Sequence, residues 1–246
     1  MKKTFQIIAH RGASGHAPEN TLAAVQLAVD MGADAAELDF HQTADGRLIA
    51  LHDFSLRRTT GDPRMAGAVR LDEIRTLDAG GWWDRSFRSE RIPTLEEVLE
   101  AFRDRIQLHL EIKRGSSMYP GIEFRLVRAV NDLKARDGVT VSSYDGDALR
   151  AVRAADRRIG LGLLTRLKSA GPVLRLAESV AARSLHLSTK RLTPSLLRAA
   201  QARGLRVYVY TVNGTRAMKR YIKMGVDGLF TDFPDRLAVL VRESPR

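Results

Sequence analysis

Leu205–Phe230 reads LRVYVYTVNGTRAMKRYIKMGVDGLF. Val207 and Val209 alternate with Tyr208 and Tyr210, residues that favour a strand over Leu205–Thr211. Gly214–Met224 carries helical periodicity, Gly225 closes it, and Gly228–Phe230 opens another short strand. The same unit recurs upstream. Strands near Gln107–Ile112, Val139–Ser143, Ile159–Leu164 and Ser184–Leu187 precede helices near Gly121–Lys134, Gly146–Ala155, Pro172–Ser179 and Pro194–Arg203, and a last helix runs near Asp235–Arg242. Toward the N-terminus, Phe5–Ala9 is a strand, Asn20–Met31 a helix and Asp34–His41 a second strand. Thr43-Ala44-Asp45-Gly46 then turns the chain back into Arg47–Leu51, with Asp-Gly as the hairpin signal. Thr94–Phe102 is a helix opened by a capping box, Thr94 with Glu97. Gly138, Gly160, Gly204, Gly225 and Gly228 stand at helix-to-strand passages, where glycine supplies positive φ.

Eight strand–helix units in a chain of 246 residues fit a TIM (β/α)8 barrel, an α/β fold. A doubly wound sheet is the alternative, but no Gly-x-Gly-x-x-Gly follows a strand. Residues 53–93, after strand two and its hairpin, are mostly irregular and too long for a plain connection. They read as an insertion within a single domain spanning 1–246.

Composition removes several function classes. There is no cysteine, so disulfides, thiolate zinc sites and cysteine nucleophiles are excluded. The net charge is +11, and 32 of the 40 basic residues are arginine. Those arginines are scattered at spacings that suit solvated helix faces, and no nucleic-acid-binding motif accompanies them. Nucleic acid is therefore not an expected partner. No apolar run approaches the roughly 18 residues of a membrane span. After Met1-Lys2-Lys3 the apolar stretch is only Ile7-Ile8-Ala9, short of the roughly 7–15 residues of a secretory signal, which points to the cytoplasm. Nothing in the sequence sets the oligomeric state.

In a TIM barrel the chemistry gathers at the C-terminal ends of the strands. His10-Arg11 follows strand one. Glu37 and Asp39 lie two apart near the end of strand two and so share a side. His52-Asp53 ends the return strand, and Glu111 and Lys113 close the strand after the insertion. Three carboxylates at one mouth would repel one another and lose solvation unless a cation joined them. An all-oxygen set without sulfur favours Mg²⁺ or Ca²⁺ over zinc. His10 and His52 can exchange protons near neutral pH. Arg11 and Lys113 supply positive charge suited to a phosphate. Together these groups point to phosphoester cleavage.

The ordered motifs carry a further signal. They are Ala9-His10-Arg11-Gly12, Ala17-Pro18-Glu19-Asn20-Thr21, Glu37-Leu38-Asp39, Thr43-Ala44-Asp45-Gly46, and His52-Asp53 with Arg58-Thr59-Thr60. Then follow Pro93-Thr94-Leu95-Glu96-Glu97, Glu111-Ile112-Lys113, Thr211-Val212-Asn213, and Gly225-Val226-Asp227-Gly228 with Thr231-Asp232. In this order, from residue 9 to 234, the chain resembles the glycerophosphodiester phosphodiesterase family. The resemblance implies a TIM barrel with the family's insertion after strand two. It implies Glu37, Asp39 and Glu111 as metal ligands, His10 and His52 as the acid–base pair, and Arg11 and Lys113 on the phosphate. It implies hydrolysis of glycerophosphodiesters to sn-glycerol 3-phosphate and an alcohol, by way of a cyclic glycerol phosphate. Tyr144 and Tyr210 take positions that the family usually fills with Phe and often with Trp, which assigns both to the substrate pocket. Phe40-His41-Gln42 departs from the more usual aliphatic and basic pair.

Two other functions stand beside this one, and only the first would use the same residues. One is a lysophospholipase-D-like phosphodiesterase acting on a larger substrate. The other is a non-catalytic anion-binding barrel, for which the +11 charge is the only argument. Glu19 is expected to orient Arg11, and Asn20 or Thr21 to cap the first helix. His16, His41, His109 and His186 are expected to be surface or hydrogen-bonded histidines, although His109 shares the parity of Glu111 and so faces the barrel interior.

Overall fold

Strand β1 (Gln6–His10) lies between β2 (Ala35–Gln42) and β9 (Gly228–Thr231), and these two pairings close the sheet. The computed structural model describes residues 5–243. Around the ring β2 is followed by β4 (Gln107–Ile112), β5 (Val139–Ser143), β6 (Gly160–Leu164), β7 (Ser184–Ser188), β8 (Arg206–Tyr210) and β9, all parallel. The result is a TIM barrel. Strand β3 (Leu48–Ala50) stands outside the ring, antiparallel on β2 through the Thr43–Gly46 turn.

The outer ring contains α1 (Leu22–Asp30), α4 (Leu95–Phe102), α5 (Ile122–Asp132), α6 (Gly146–Ala155), α7 (Ala170–Ser179), α8 (Pro194–Gln201), α9 (Thr215–Met224) and α10 (Pro234–Glu243); α2 (Arg57–Thr60) and α3 (Leu71–Ile74) are single turns. Strand parity sorts the side chains. In β2, Ala36, Leu38 and Phe40 pack outward under the helices, whereas Ala35, Glu37 and Asp39 share the inner face. In β4, Leu108, Leu110 and Ile112 face the helices and His109 and Glu111 turn in. Each fully buried Leu, Ile or Phe in that sheath contributes about 1.5–3 kcal/mol. The barrel wall is therefore held from outside, and its inner face is free to be polar.

The elements match the sequence pattern with three differences. Helix α1 begins at Leu22, because Thr21 is its N-cap and accepts from the Ala24 N–H at 3.2 Å. The segment expected to be mostly irregular contains α2, α3 and two 3₁₀ turns. It also builds a small core of its own, with Ile49, Leu51, Leu56, Val69, Ile74 and Ile92 buried together. Of the five glycines expected at positive φ, only Gly204 and Gly225 have it. Gly228 serves close approach instead: a Cβ there would lie 2.4 Å from the Gln6 carbonyl oxygen on β1. The Thr94 capping box is present, with Glu97 accepting from the Thr94 N–H at 2.8 Å. Among the described residues no helix is long and apolar enough to cross a membrane.

Candidate active site

Register assembles the site. His10 on β1 pairs with Glu37 on β2, and Asp39 on β2 pairs with Glu111 on β4. Adjacent strands thus place an imidazole and three carboxylates side by side at the C-terminal mouth. His52 is brought over them from the end of the β3 hairpin. All nine residues singled out from the sequence line one cavity of about 240 Å³: His10, Arg11, Glu37, Asp39, His52, Glu111, Lys113, Tyr144 and Tyr210. A larger groove, about 480 Å³, lies on the flank between the hairpin and α5 and contains none of them.

Oxygen atoms of Glu37, Asp39 and Glu111 lie within 4.8 Å of one another, and all three side chains are buried. Burial, then the charges of Asp39 and Glu111, push Glu37 well above the usual carboxylate range. Burial and Asp39 push Glu111 up to about 7, against the pull of Lys113. Burial would raise Asp39 as well, but Lys113, Arg11 and His52 outweigh it and hold this carboxyl well below its ordinary value. Lys113 Nζ stands 3.1 Å from Asp39 and 3.0 Å from Glu111. Arg11 Nε is 3.3 Å from Asp39, and the Arg11 backbone N–H donates to Glu37 at 3.0 Å. Arg11 itself has a positive φ of 57°, a strained conformation of the kind that concentrates at functional sites. Two carboxyls driven toward protonation beside a third that stays ionised form a hard-oxygen set with unmet demand for positive charge. The donors fit a divalent cation such as Mg²⁺ or Ca²⁺.

Each of the two histidines is oriented by a carboxylate. His10 Nδ1 donates to Asp232 at 2.7 Å, and His52 Nδ1 donates to Asp53 at 2.7 Å. Since a carboxylate only accepts, both rings carry the Nδ1 proton and leave Nε2 for chemistry. Burial and the cations Lys113 and Arg11 lower the His52 pKa, against the pull of Asp39 and Asp53. Asp232 is itself held by Ser14 Oγ at 3.0 Å and Asn213 Nδ2 at 2.5 Å. Asp53 accepts from Arg58 at 2.7 Å; Arg58 also grips Glu19 through two bonds of 2.8 Å, and Glu19 accepts from Arg11 at 2.8 Å. One chain of charges therefore ties the hairpin side of the mouth to β1. The expectation that Glu19 orients Arg11 agrees with this contact. Asn20 does not cap α1; it clasps Asp39, donating to its carboxylate at 3.0 Å and accepting from its N–H at 3.1 Å.

Asp232, Asp53 and Arg58 belong to the quoted motifs but were given no task from sequence. Their signal was adjacency for Asp53, and none for Asp232, which is 222 positions from its partner. Three histidines expected to be surface or hydrogen-bonded are buried. His41 is bonded to Tyr119 at 2.8 Å and to the His52 carbonyl at 3.1 Å, so it steadies the His52 backbone. His186 meets Ser184 at 3.0 Å, whereas His109, inside the barrel as its parity demands, leaves Nδ1 without a partner.

Fold and site together define a TIM-barrel hydrolase architecture, with an acidic cation-type cluster set between two carboxylate-backed imidazoles. Residues 10–236 match the model of the glycerophosphoryl diester phosphodiesterase family. A glycerophosphodiester phosphodiesterase of Caldanaerobacter subterraneus is 39% identical over 238 residues, 96% of this chain and 98% of its own. One from Bacillus altitudinis is 35% identical, covering 97% and 98%. Among solved structures, an Oleispira antarctica phosphodiesterase in complex with the product sn-glycerol-3-phosphate superposes with a TM-score of 0.87 at 29% identity, over 97% of both chains. The glycerophosphodiester phosphodiesterase of Agrobacterium tumefaciens gives 0.84 at 28% identity, over 96% of this chain and all of that one. The chain belongs to the glycerophosphodiester phosphodiesterase family.

Proposed function

We propose that this protein hydrolyses small glycerophosphodiesters to sn-glycerol 3-phosphate and an alcohol, acting in the cytoplasm as a single domain. The carrying observation is the convergence, in one 240 Å³ cavity, of three buried carboxylates and two histidines whose Nδ1 atoms are already committed to carboxylates. Family membership supports the same reaction. Glu37, Asp39 and Glu111 would hold a divalent cation, Mg²⁺ or Ca²⁺, which when bound supplies Lewis-acid polarisation of the phosphoryl oxygen.

The chain's own groups do the rest. Arg11 and Lys113 take the phosphate charge, Lys113 exchanging its present contacts with Asp39 and Glu111 for phosphate oxygens. His52 accepts, at Nε2, the proton of the attacking glycerol hydroxyl, and the new P–O bond forms. His10, entering the step as an imidazolium with protons on both nitrogens, donates its Nε2 proton to the departing alcohol oxygen as the old P–O bond breaks and keeps its Nδ1 proton on Asp232. Water then opens the cyclic glycerol phosphate with the two histidines in reversed roles. Asp53 and Asp232 hold both rings in the required tautomer throughout. Tyr144 and Tyr210 form the pocket wall.

The test is incubation with a panel of glycerophosphodiesters, with and without Mg²⁺ or Ca²⁺, and identification of products. Release of glycerol 3-phosphate that stops on chelation is the expected result. Full turnover after exhaustive chelation would remove the cation from the reaction, and absence of turnover on every diester would remove the activity.

A further inference from the structure

The cavity has two unlike walls. Strands β2 and β4 carry the carboxylates, and Tyr144, Leu164, Arg166, Tyr210 and Phe230 line the rest of the cavity. Ring order sets β6 directly across from β1, and Arg166 lies two residues beyond the end of β6. Its guanidinium is 5.0 Å from the centre of the Tyr144 ring. The Tyr144 and Tyr210 hydroxyls hydrogen-bond to each other, and the Tyr210 ring stands edge-on to Phe230 at 6.2 Å. An ammonium head group would need open aromatic faces or a free carboxylate. The Tyr144 face already holds a cation of the protein's own. The cavity's carboxylates all sit on β2 and β4, where Arg11 and Lys113 engage them. Arg166 is exposed and forms no ion pair among the described residues, so its charge faces the cavity unanswered.

We infer that the site selects glycerophosphodiesters whose alcohol is neutral or anionic, a polyol above all, over those whose alcohol carries an ammonium group, and that Arg166 sets this preference. The inference rests on the hydrolase reading above. Phosphate and glycerol are common to every such substrate, so the alcohol's charge is the variable that Arg166 can read. A unit charge acting across several ångströms of partly solvated cavity changes relative turnover on the order of tenfold.

The experiment measures kcat/KM of the full chain, supplied with its divalent cation, for glycerophosphoinositol, glycerophosphoglycerol and glycerophosphocholine. It is run on the wild type, Arg166→Gln and Arg166→Glu. The readout is the ratio between substrates, which a merely structural loss would lower for all alike. The polyol esters are expected to exceed the choline ester by ~10-fold in the wild type. Arg166→Gln should remove most of that margin and Arg166→Glu should reverse it. A wild type that favours the choline ester, or a ratio unmoved in both variants, would overturn the inference. If none of the three diesters turns over, the hydrolase reading itself falls and this inference with it.

Discussion

The two ends of the barrel hold cavities of nearly equal volume, about 240 Å³ at the C-terminal mouth and about 230 Å³ at the N-terminal mouth. Both are polar, and both are ringed by arginine or lysine. At the C-terminal mouth three buried carboxylates are forced against one another and against Arg11 and Lys113. At the N-terminal mouth the rim includes Arg136, Arg158 and Arg183. Arg136 is answered by Asp156 at 2.9 Å, and Arg183 donates to the Arg158 carbonyl at 3.2 Å. Its inner floor is His109, which burial and then Arg206 drive down to about 3, a neutral ring at any physiological pH. Volume does not distinguish the two ends. The difference lies in whether ionised groups of opposite sign are buried together at positions that the strand register fixes.

The largest test of that contrast is catalytic. His10→Ala and His52→Ala should each lower kcat by about 10²–10⁴-fold, with cation affinity by calorimetry little changed. Arg158→Ala and Arg183→Ala at the other mouth should leave kcat/KM within about twofold, as solvated surface changes do. A comparable loss at both ends would erase the distinction. Next come the cation and the orienting groups. Glu37→Gln and Glu111→Gln should weaken Mg²⁺ or Ca²⁺ binding by more than the ~10–100-fold that loss of an outer partner costs. Asp232→Asn should lower kcat by up to ~10⁴-fold by permitting the wrong His10 tautomer. An Asp232→Asn enzyme of normal rate would show that Ser14 and Asn213 hold the ring without it.

The two ends also titrate in opposite senses. His109 has a folded value of about 3 against about 6.5 unfolded, so the native chain binds fewer protons than the unfolded one. Its contribution is whole above pH 6.5 and is lost as the pH falls below it, roughly 2 kcal/mol by pH 5. Glu111, raised to about 7, runs the other way. The native chain binds more protons there, and stability is lost as the pH climbs from the unfolded value through 7. A divalent cation removes the second penalty and not the first. Thermal melts at pH 5, 6.5 and 8, with and without Mg²⁺ or Ca²⁺, should show a cation-induced rise in Tm that grows with pH; a larger rise at pH 5 would contradict this. The smallest expected effect lies outside both mouths: Thr94→Ala should cost about 1 kcal/mol in urea unfolding through loss of the cap on α4.

Much of this was legible in one dimension. The two-residue spacing of Glu37 with Asp39 and of Glu111 with Lys113 states their shared side, because strand parity is a local property. The register that sets Asp39 against Glu111 is not local, and neither is the closure of β1 on β9 that carries Asp232 to His10. The charge chain from Asp53 through Arg58 and Glu19 to Arg11 spans the hairpin and the first loop, beyond the reach of periodicity. Asn20 looked like a cap because Asn caps helices; its positive φ of 58° and its clasp on Asp39 appear only when the loop is folded over the barrel. The single turns α2 and α3 were missed because four residues cannot express a helical period.

His52 stands on a satellite. Ile49, Leu51, Leu56, Val69, Ile74 and Ile92 cluster apart from the main core, while His10 and the three acids are rooted in the barrel wall. The two histidines are thus held by hydrophobic clusters of different size, the smaller of which brackets His52. Warming should silence the enzyme by loosening this bracket while the cylinder beneath it is still intact.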